Sequence, residues 1–424
     1  MRTILHSDLN GFYASVEILK NPSLKNVPVA VTGNKAERHG VVLAKNAVAA
    51  EYGVRTGDVC FQARKKCPSL VEITADFDSY TAVSEEVRRI YGRFTDRVES
   101  FGIDECWLDV TESQSLFGTG EQIAEKIRAA VKNEIGVTVS VGVSWNKVFA
   151  KLGSDVAAPD SVFSVSRENY KTAVWPLPVN ALLYVGKATA AKLNKYNIFT
   201  VGELAAADED RLRMLLGKWG EYLRAFANGA DLSPVMRADD PSYIASIGNS
   251  LTNYRDLRCG EDVYTLMLLL ADSVASRLRE SGLGKARTVS LSVTDSALER
   301  YSGQKTMSEY SCVSKDIADC AFGVFLRIYP WKNAVRALGI SVSGFSGKAE
   351  QCGFFTEDAR KAERIERAVD GLRKKYGNNI VQRAAVLRDK KLYSTDIKNE
   401  HTVHPVNFFG RNRTGNGGGP ARGS

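Results

Sequence analysis

Three carboxylates stand where they could act together on one substrate. Asp8 ends the first predicted strand, and Asp104 and Glu105 form the tip of a predicted hairpin. Hard divalent ions such as Mg²⁺ prefer oxygen ligands and keep part of their water shell, so a few convergent carboxylates can hold them. Two such ions about 3.5–4 Å apart can promote an in-line phosphoryl displacement. The three residues are therefore candidate metal ligands, although an acidic pair in a turn is commonplace among 49 acidic residues.

Two other segments could contribute to such a site. Phe12 and Tyr13 follow Asp8 directly. Adjacent aromatic residues at a helix start usually pack in a core, but beside a metal site a flat ring could form the floor beneath a sugar. Residues 182–193 predict a helix, a tight turn at Gly186 and a second helix, whose first N–H groups suit a phosphate oxygen. The same pattern is also an ordinary corner of a helical bundle.

Composition limits the classes to which the chain can belong. It has 424 residues, 44% of them apolar and 25% charged, which is typical of a globular protein with several domains. The longest apolar run, Leu266–Ala271, is far shorter than the roughly 18 residues of a membrane span. Asp8 interrupts any signal-peptide pattern, and seven cysteines without a Cys-x-x-Cys motif predict neither a disulfide framework nor a zinc site. We therefore expect a cytoplasmic protein without a membrane segment.

Positive charge is concentrated in the second half of the chain. Residues 243–424 contain 28 Lys and Arg against 19 Asp and Glu, a balance of +9. The first 242 residues contain the remaining 29 and 30, a balance of −1, and the two sum to the net charge of +8. This asymmetry indicates a basic C-terminal module that binds a polyanion, or else a basic surface that only aids solubility.

The order of predicted elements indicates an α+β chain of several domains. Strands and helices alternate up to about residue 166, short helices follow to 230, and a proline-containing segment at 231–242 resembles a linker. Beyond it, the predicted order is β-α-β-β-α-β, as in ferredoxin-like units. A charged helix (357–376) and a short strand (Ile380–Leu387) extend this module, and a glycine-rich, arginine-containing tail ends the chain.

Five segments in this order resemble the Y-family translesion DNA polymerases, the group that contains DNA polymerases IV and V. They are Asp8–Glu17, Tyr52–Gly57, Ile103–Thr111, Val141–Leu152 and the 182–193 hairpin. The resemblance covers residues 1 to about 345. It implies a right-hand polymerase with a ferredoxin-like palm (1–19 and 77–166), small fingers (20–76), a helical thumb (167–230), a linker (231–242), a ferredoxin-like little finger with its extension (243–395) and a flexible basic tail (396–424).

The resemblance also implies roles for particular residues. Asp8, Asp104 and Glu105 would hold two Mg²⁺ ions, with the carbonyl of Leu9 as a further ligand. Tyr13 would be the steric gate that excludes ribonucleotides, and Phe12 would lie beside it under the incoming sugar. Candidate phosphate and DNA contacts are Lys147, Lys151, Gly186 and Lys187.

The sequence departs from the family pattern at several positions. Ala47, Ala50 and Ala158 stand where triphosphate ligands are usual, so Lys45, Arg38 or Lys35 would have to substitute for them. Gly102 stands where Ser is usual, and Tyr184 stands where the hairpin usually has its first glycine.

Three functional interpretations remain open on the sequence. The first is a low-fidelity, lesion-bypassing DNA polymerase that uses deoxynucleotides and primer-template DNA. The second is a DNA-binding scaffold with weakened nucleotide binding, and the third is another palm-type enzyme such as a nucleotide cyclase. We expect a monomer. For a sliding clamp, only the aromatic segment 406–410 is a candidate docking peptide, and it does not form a clear clamp motif.

Overall fold

The computed structural model describes residues 2–33, 40–237, 244–347, 357–394 and 398. These residues form two compact units, one drawn from Met1–Gly33 and Val41–Pro241 and the other from Ser242 onward. Several sequence-based predictions lie outside the described residues. They concern Lys35, Arg38, the end of the linker (238–242), the docking candidate 406–410 and, apart from Lys398, the tail.

The first unit contains eight strands and twelve α-helices among its described residues. The strands are β1 (Ile4–Leu9), β2 (Val29–Thr32), β3 (Val42–Lys45), β4 (Val71–Thr74), β5 (Val98–Ser100), β6 (Glu105–Asp109), β7 (Val139–Ser144) and β8 (Val162–Ser164). The helices are α1 (Phe12–Lys20), α2 (Ala47–Glu51), α3 (Cys60–Lys66), α4 (Phe77–Tyr91), α5 (Gln114–Phe117), α6 (Gly120–Glu134), α7 (Lys147–Val156), α8 (Tyr170–Ala173), α9 (Lys187–Asn194), α10 (Val201–Ala206), α11 (Glu209–Leu216) and α12 (Lys218–Ala227).

A five-stranded sheet in the order β5-β6-β1-β7-β8 forms the centre of this unit. Strand β1 pairs antiparallel with β6 at one edge and β7 at the other. Five of its six residues are buried, so both of its faces are covered as well. On one face Leu5 and Leu108 pack with apolar residues of α4 and α6, such as Ile90 and Ile123. Because side chains alternate along a strand, the neighbours of Leu5 in β1 point to the opposite face.

Helix α7 covers that opposite face and approaches the sheet unusually closely. Asn146 caps the helix by accepting the N–H of Phe149 at 2.8 Å. A Cβ added to Gly142 of β7 would collide with the backbone of α7, and one added to Gly153 would lie 3.0 Å from the Cα of Gly142. Glycine at position 142 is required for the helix to lie directly on β7, and glycine at position 153 relieves a further tight contact.

The remaining parts of the first unit are a small sheet and a group of short helices. The small sheet has the order β3-β2-β4, with β2 and β4 parallel, and the sequence did not predict β4. The predicted helix that begins at Leu182 is wrong at its start. Residues Val179–Ala181 form one 3₁₀ turn, a turn follows, and the helix begins only at Lys187.

The second unit has the predicted β-α-β-β-α-β order. Its elements are β9 (Ser246–Leu257), α13 (Gly260–Ser281), β10 (Ala286–Asp295), β11 (Arg300–Ser311), α14 (Ser314–Ile328), β12 (Val335–Phe345), α15 (Glu357–Tyr376) and α16 (Lys390–Ser394). The antiparallel sheet has the order β11-β10-β12-β9, so the second and fourth strands are central. The first unit has the other arrangement. Among its four strands β1, β5, β6 and β7, the central ones are β1 and β6, which are the first and third in chain order.

One face of this second sheet is apolar and the other carries small polar side chains. Buried residues such as Leu291 and Val293 pack with α13 and α14. The alternate positions form rows across the strands, for example Gly248, Ser341, Ser290 and Gln304. Helix α15 is attached by Arg279, which pairs with Asp370 at 2.6 Å and Glu366 at 2.5 Å.

The predicted strand Ile380–Leu387 is wrong. Residues 384–388 form a 3₁₀ helix, and none of the residues 380–387 joins a sheet. The 3₁₀ helix instead places Val386 in the core, where it packs with the apolar residues of the second unit.

The described ranges contain neither a membrane-spanning helix nor a disulfide bond. No helix in those ranges has the length and apolar character needed to cross a bilayer. The six cysteines whose side chains are described, namely Cys60, Cys67, Cys106, Cys259, Cys312 and Cys320, are all free thiols.

Candidate active site

The pairing of β1 with β6 brings the candidate carboxylates together. Asp8 lies directly opposite Glu105 in the antiparallel register, and opposite residues in such a pair share a face of the sheet. The N–H of Leu9 donates to the carbonyl of Asp104 at 3.0 Å, which fixes the hairpin tip beside the end of β1. The acidic residues predicted from separate parts of the sequence are therefore neighbours.

Lys151 of α7 lies among these carboxylates. Its ammonium is 2.7 Å from Oε2 of Glu105, 3.5 Å from Oδ2 of Asp8 and 2.9 Å from Oδ1 of Asp155. Burial alone would lower the pKa of Lys151, but the contacts with Glu105 and Asp155 raise it, so the side chain is cationic. The phosphate contact expected for Lys151 stays a prediction, and it would require the ammonium to exchange one of these carboxylate partners for a phosphate.

The carboxylates carry more negative charge than one lysine balances. Burial raises the pKa of Asp8 to about 7, and the charges of Glu105 and Asp104 add to this rise while Lys151 opposes it. Burial and Glu105 also raise the pKa of Asp104. Burial would raise the pKa of Glu105 as well, but hydrogen bonding by His6 and the charge of Lys151 lower it to about 2.

This donor set fits hard divalent cations. Its oxygens belong to carboxylates, they are largely withdrawn from water, and their negative charge is only partly compensated. Within the part of the chain that the structure describes, no three His, Cys, Asp or Glu side chains already converge on one point with metal-ligand geometry. The ammonium of Lys151 lies between Asp8 and Glu105 in this state and contacts both.

The hairpin tip has its own supports. The hydroxyl of Ser84 in α4 donates to the carbonyl of Ile103, and Arg88 contacts the Ser84 oxygen at 2.8 Å. A Cβ on Gly102 would lie 2.9 Å from Oδ1 of Asp104, so a larger residue there would displace that carboxylate. The departure from the usual Ser at position 102 therefore affects the site directly.

Phe12 and Tyr13 differ in their surroundings. Phe12 is buried in the core beneath α4. Tyr13 is half-buried and stacks on Tyr80, with ring centroids 4.5 Å apart. Burial and the nearby charge of Asp104 raise the pKa of the Tyr13 hydroxyl to about 12. Tyr13 is thus the aromatic residue that lies beside the carboxylates, whereas Phe12 fills the space behind it.

Lys45 lies close to the turn that follows Asp8. Its carbonyl is 3.1 Å from the point that a Cβ on Gly11 would occupy, and Gly11 has a φ of 53°, which glycine adopts readily. Lys45 forms no ion pair with any residue that the structure describes. Ala47, Ala50 and Ala158 are exposed and have no side-chain group that could bind a phosphate.

The other predicted phosphate contacts lie apart from the carboxylates. The ammonium of Lys147 is 2.6 Å from Glu99 and 4.3 Å from the ring centre of Trp107, and its side chain is only 12% exposed. Gly186 and Lys187 are exposed at the start of α9. Tyr184, just before them, has a φ of 70° and packs its half-exposed ring near Trp219.

Sequence reasoning missed His6, which lies inside the site. It precedes Asp8 by two residues, so both side chains point to the face covered by α7. Burial lowers the pKa of His6, although a hydrogen bond with Glu105 opposes that shift. The two-residue spacing was the available signal, but a buried histidine in a strand is usually a core residue.

Comparisons with known proteins agree with this architecture. The impB/mucB/samB family matches residues 7–155, and the C-terminal domain of that family matches residues 244–354. The DNA polymerase IV of Acetivibrio thermocellus is 48% identical over 395 residues, covering 92% of this chain and 99% of the relative. That of Clostridium acetobutylicum is 35% identical over 399 residues, with the same coverage of both chains.

A solved structure shows the same fold. It is a Y-family DNA polymerase chimera of Dbh and Dpo4, with a TM-score of 0.71 and 22% sequence identity over 81% of this chain and 99% of that one. The fold is thus that of a Y-family DNA polymerase, as the sequence motifs predicted. The chain belongs to the impB/mucB/samB family.

Proposed function

We propose that this chain is a template-directed DNA polymerase of the low-fidelity, lesion-bypassing type. It joins a deoxynucleotide to a primer 3′-OH and releases pyrophosphate. The observation that carries this proposal is the β1–β6 register, which sets Asp8 opposite Glu105 with Asp104 beside them. The relatives named DNA polymerase IV, which this chain matches over nearly their whole length, support the same reaction.

Asp8, Asp104, Glu105 and the carbonyl of Leu9 would hold two Mg²⁺ ions. When bound, such ions supply activation of the attacking oxygen and stabilisation of the leaving one. The partly compensated charge of the three carboxylates supports this assignment. Lys151 balances part of that charge and holds Oε2 of Glu105 at 2.7 Å.

The substrate side of the site would consist of Tyr13 and Lys45. Tyr13, stacked on Tyr80 near Asp104, would crowd a ribose 2′-OH, with Phe12 behind it in the core. Lys45 would bind the triphosphate in place of the ligands that Ala47, Ala50 and Ala158 do not supply. A charge-assisted hydrogen bond of this kind contributes about 1.5–3 kcal/mol.

DNA would be bound by both units through its backbone. Gly186 and Lys187 would contact phosphates at the start of α9, and the face of small polar residues in the second unit would allow a sugar-phosphate backbone to approach closely. For Lys147 to contact DNA, a phosphate would have to displace Glu99 from its ammonium. The division into palm, fingers, thumb and little finger, the monomeric state, clamp binding and a cytoplasmic location belong to this proposal as predictions.

Primer extension tests the proposed reaction. With Mg²⁺, deoxynucleotides and an undamaged or damaged template, the chain should extend the primer, and Asp104→Ala should abolish extension while leaving DNA binding measurable. Removal of Mg²⁺ by a chelator should have the same effect as the substitution. No extension by the unmodified chain at millimolar nucleotide would instead favour the scaffold interpretation, which the comparisons do not favour.

A further inference from the structure

His6 is a buried imidazole to which the proposed reaction gives no role. Its side chain is 0% exposed and its ring meets the edge of Trp107, with centroids 5.2 Å apart. Nδ1 lies 2.7 Å from Oγ of Ser154 in α7, and Nε2 lies 3.4 Å from Oε2 of Glu105. Oε2 is ion-paired with Lys151 at 2.7 Å, whereas Nε2 has no well-aligned hydrogen bond among the described residues. Buried polar atoms seldom lack such a partner, so this contact needs an explanation.

The hydroxyl of Ser154 determines which nitrogen of the His6 imidazole carries the proton. A neutral imidazole has one donor and one acceptor nitrogen. Ser154 has one proton and two acceptors in reach, Nδ1 of His6 at 2.7 Å and the carbonyl of Lys151 at 2.8 Å. If Ser154 donates to Nδ1, the N–H of Nε2 points to Glu105. If it donates to Lys151, a bare nitrogen lone pair faces a carboxylate, which is repulsive. The first arrangement is therefore favoured.

His6 and Lys151 contact Oε2 of Glu105, and the other carboxylate oxygen, Oε1, is turned toward Asp104. The point where a Cβ on Gly102 would stand is 3.4 Å from Oε1 of Glu105 and 2.9 Å from Oδ1 of Asp104. Both oxygens therefore border one small volume at the hairpin tip. The oxygen on the other side of Glu105 faces His6 and Lys151.

We propose that His6, itself oriented by Ser154, is a positioning residue that fixes the Glu105 carboxylate so that Oε1 and the Asp104 carboxylate present their oxygens to the same cation. This inference rests on the proposed function, because it concerns the same metal ligands. The contact of 3.4 Å shortens when the carboxylate is drawn into its working orientation, as hydrogen bonds in ligand-free active sites commonly do. Partners of this kind beyond the ligands typically change metal affinity by about 10–100-fold.

Direct binding of Mn²⁺ to the full chain without DNA, followed by the paramagnetic resonance signal of the free ion, tests the proposal. His6→Phe keeps a ring beside Trp107 but removes both nitrogens, and it should weaken Mn²⁺ binding about tenfold. The same variant should need correspondingly more Mg²⁺ for half-maximal primer extension. His6→Gln restores an N–H near the position of Nε2 and should recover most of the affinity. Ser154→Ala should weaken binding in the same direction but less.

Ser7→Ala is the matched control. Ser7 lies between His6 and Asp8 but points to the other face, where its hydroxyl is 2.8 Å from that of Tyr91. Its loss should lower thermal stability and leave Mn²⁺ binding unchanged. Unchanged Mn²⁺ binding in a folded His6→Phe variant would overturn the role of His6, provided that Glu105→Gln and Asp104→Asn do weaken binding. If those two variants also bind Mn²⁺ normally, the proposed metal site itself is wrong, and the role of His6 is wrong with it.

Discussion

At the scale of single residues, the site combines groups that the sequence reveals with groups that it hides. Asp8, Asp104 and Glu105 could be identified because each ends a predicted strand or turn, and strand pairing then sets them opposite each other. Lys151 could not be placed, because its position depends on how α7 packs on the sheet. A lysine one helical turn from Lys147 predicts only a shared helix face, not an ammonium inside a carboxylate cluster.

Tyr13 provides a prediction at this scale. Tyr13→Ala should admit ribonucleotides, because the ring that would crowd a 2′-OH is removed. Tyr13→Phe should keep most of the discrimination, since the ring and its stacking on Tyr80 remain. Single-nucleotide incorporation of paired ribo- and deoxynucleotides measures the ratio of kcat/KM for the two sugars. Equal discrimination in the alanine variant and the unmodified chain would show that another residue is the gate.

At the scale of elements, local patterns predicted most helices and strands but not every boundary. Strand β7 alternates valine with serine or glycine, whereas β1 is a short run that opens with the buried pair Ile4 and Leu5. Both patterns are sufficient to predict a strand. The segment 380–387 lacks such an alternation, because its apolar residues stand next to one another. A short apolar run does not distinguish a strand from a 3₁₀ turn that buries one side chain, here Val386.

The turn before α9 carries a strained residue. Tyr184 has a φ of 70°, a left-handed conformation that costs a residue with a Cβ about 1–2 kcal/mol. Tyr184→Gly and Tyr184→Ala both lack the ring. The difference in their free energies of unfolding therefore reports the cost of placing a Cβ at this backbone conformation. We expect the glycine variant to be the more stable by about 1 kcal/mol, measured by denaturant unfolding.

The control compares alanine with glycine at a position that has ordinary helical backbone angles. Ala188 lies in the first turn of α9, where glycine costs backbone entropy. Ala188→Gly should therefore reduce stability by about 0.5–1 kcal/mol, the opposite sign from position 184. A glycine at 184 that is no better than alanine would mean that the turn relaxes without strain.

At the scale of the whole molecule, the charge division follows the division into units. The second unit begins near residue 242, and the residues from 243 onward carry the excess of +9. The order of strands in this unit could not be predicted. The same β-α-β-β-α-β chain order can give a sheet with the first and third strands in the centre, as in the first unit, or with the second and fourth in the centre, as in the second unit. That choice depends on packing between strands far apart in the chain.

The charge division predicts how DNA binding depends on salt. Removal of residues 243–424 should weaken DNA binding and flatten the plot of log affinity against log salt, by about 0.9 for each phosphate that the shortened chain no longer neutralises. The affinity of the full and shortened chains should be measured from low to moderate salt. Circular dichroism checks that the first unit remains folded. An unchanged slope would show that the second unit does not bind the phosphate backbone.

The glycine pair between β7 and α7 has a consequence for how this enzyme can vary. Gly142 and Gly153 carry no functional group, yet they set the distance at which Lys151 and Ser154 stand from the carboxylate face. Adding a methyl at Gly142 would lift the helix and with it both polar side chains, and adding one at Gly153 would shift the helix more slightly. The chemistry of the site is thus constrained by two residues that contribute nothing but their small size, and natural or engineered variation will be narrow there for that reason.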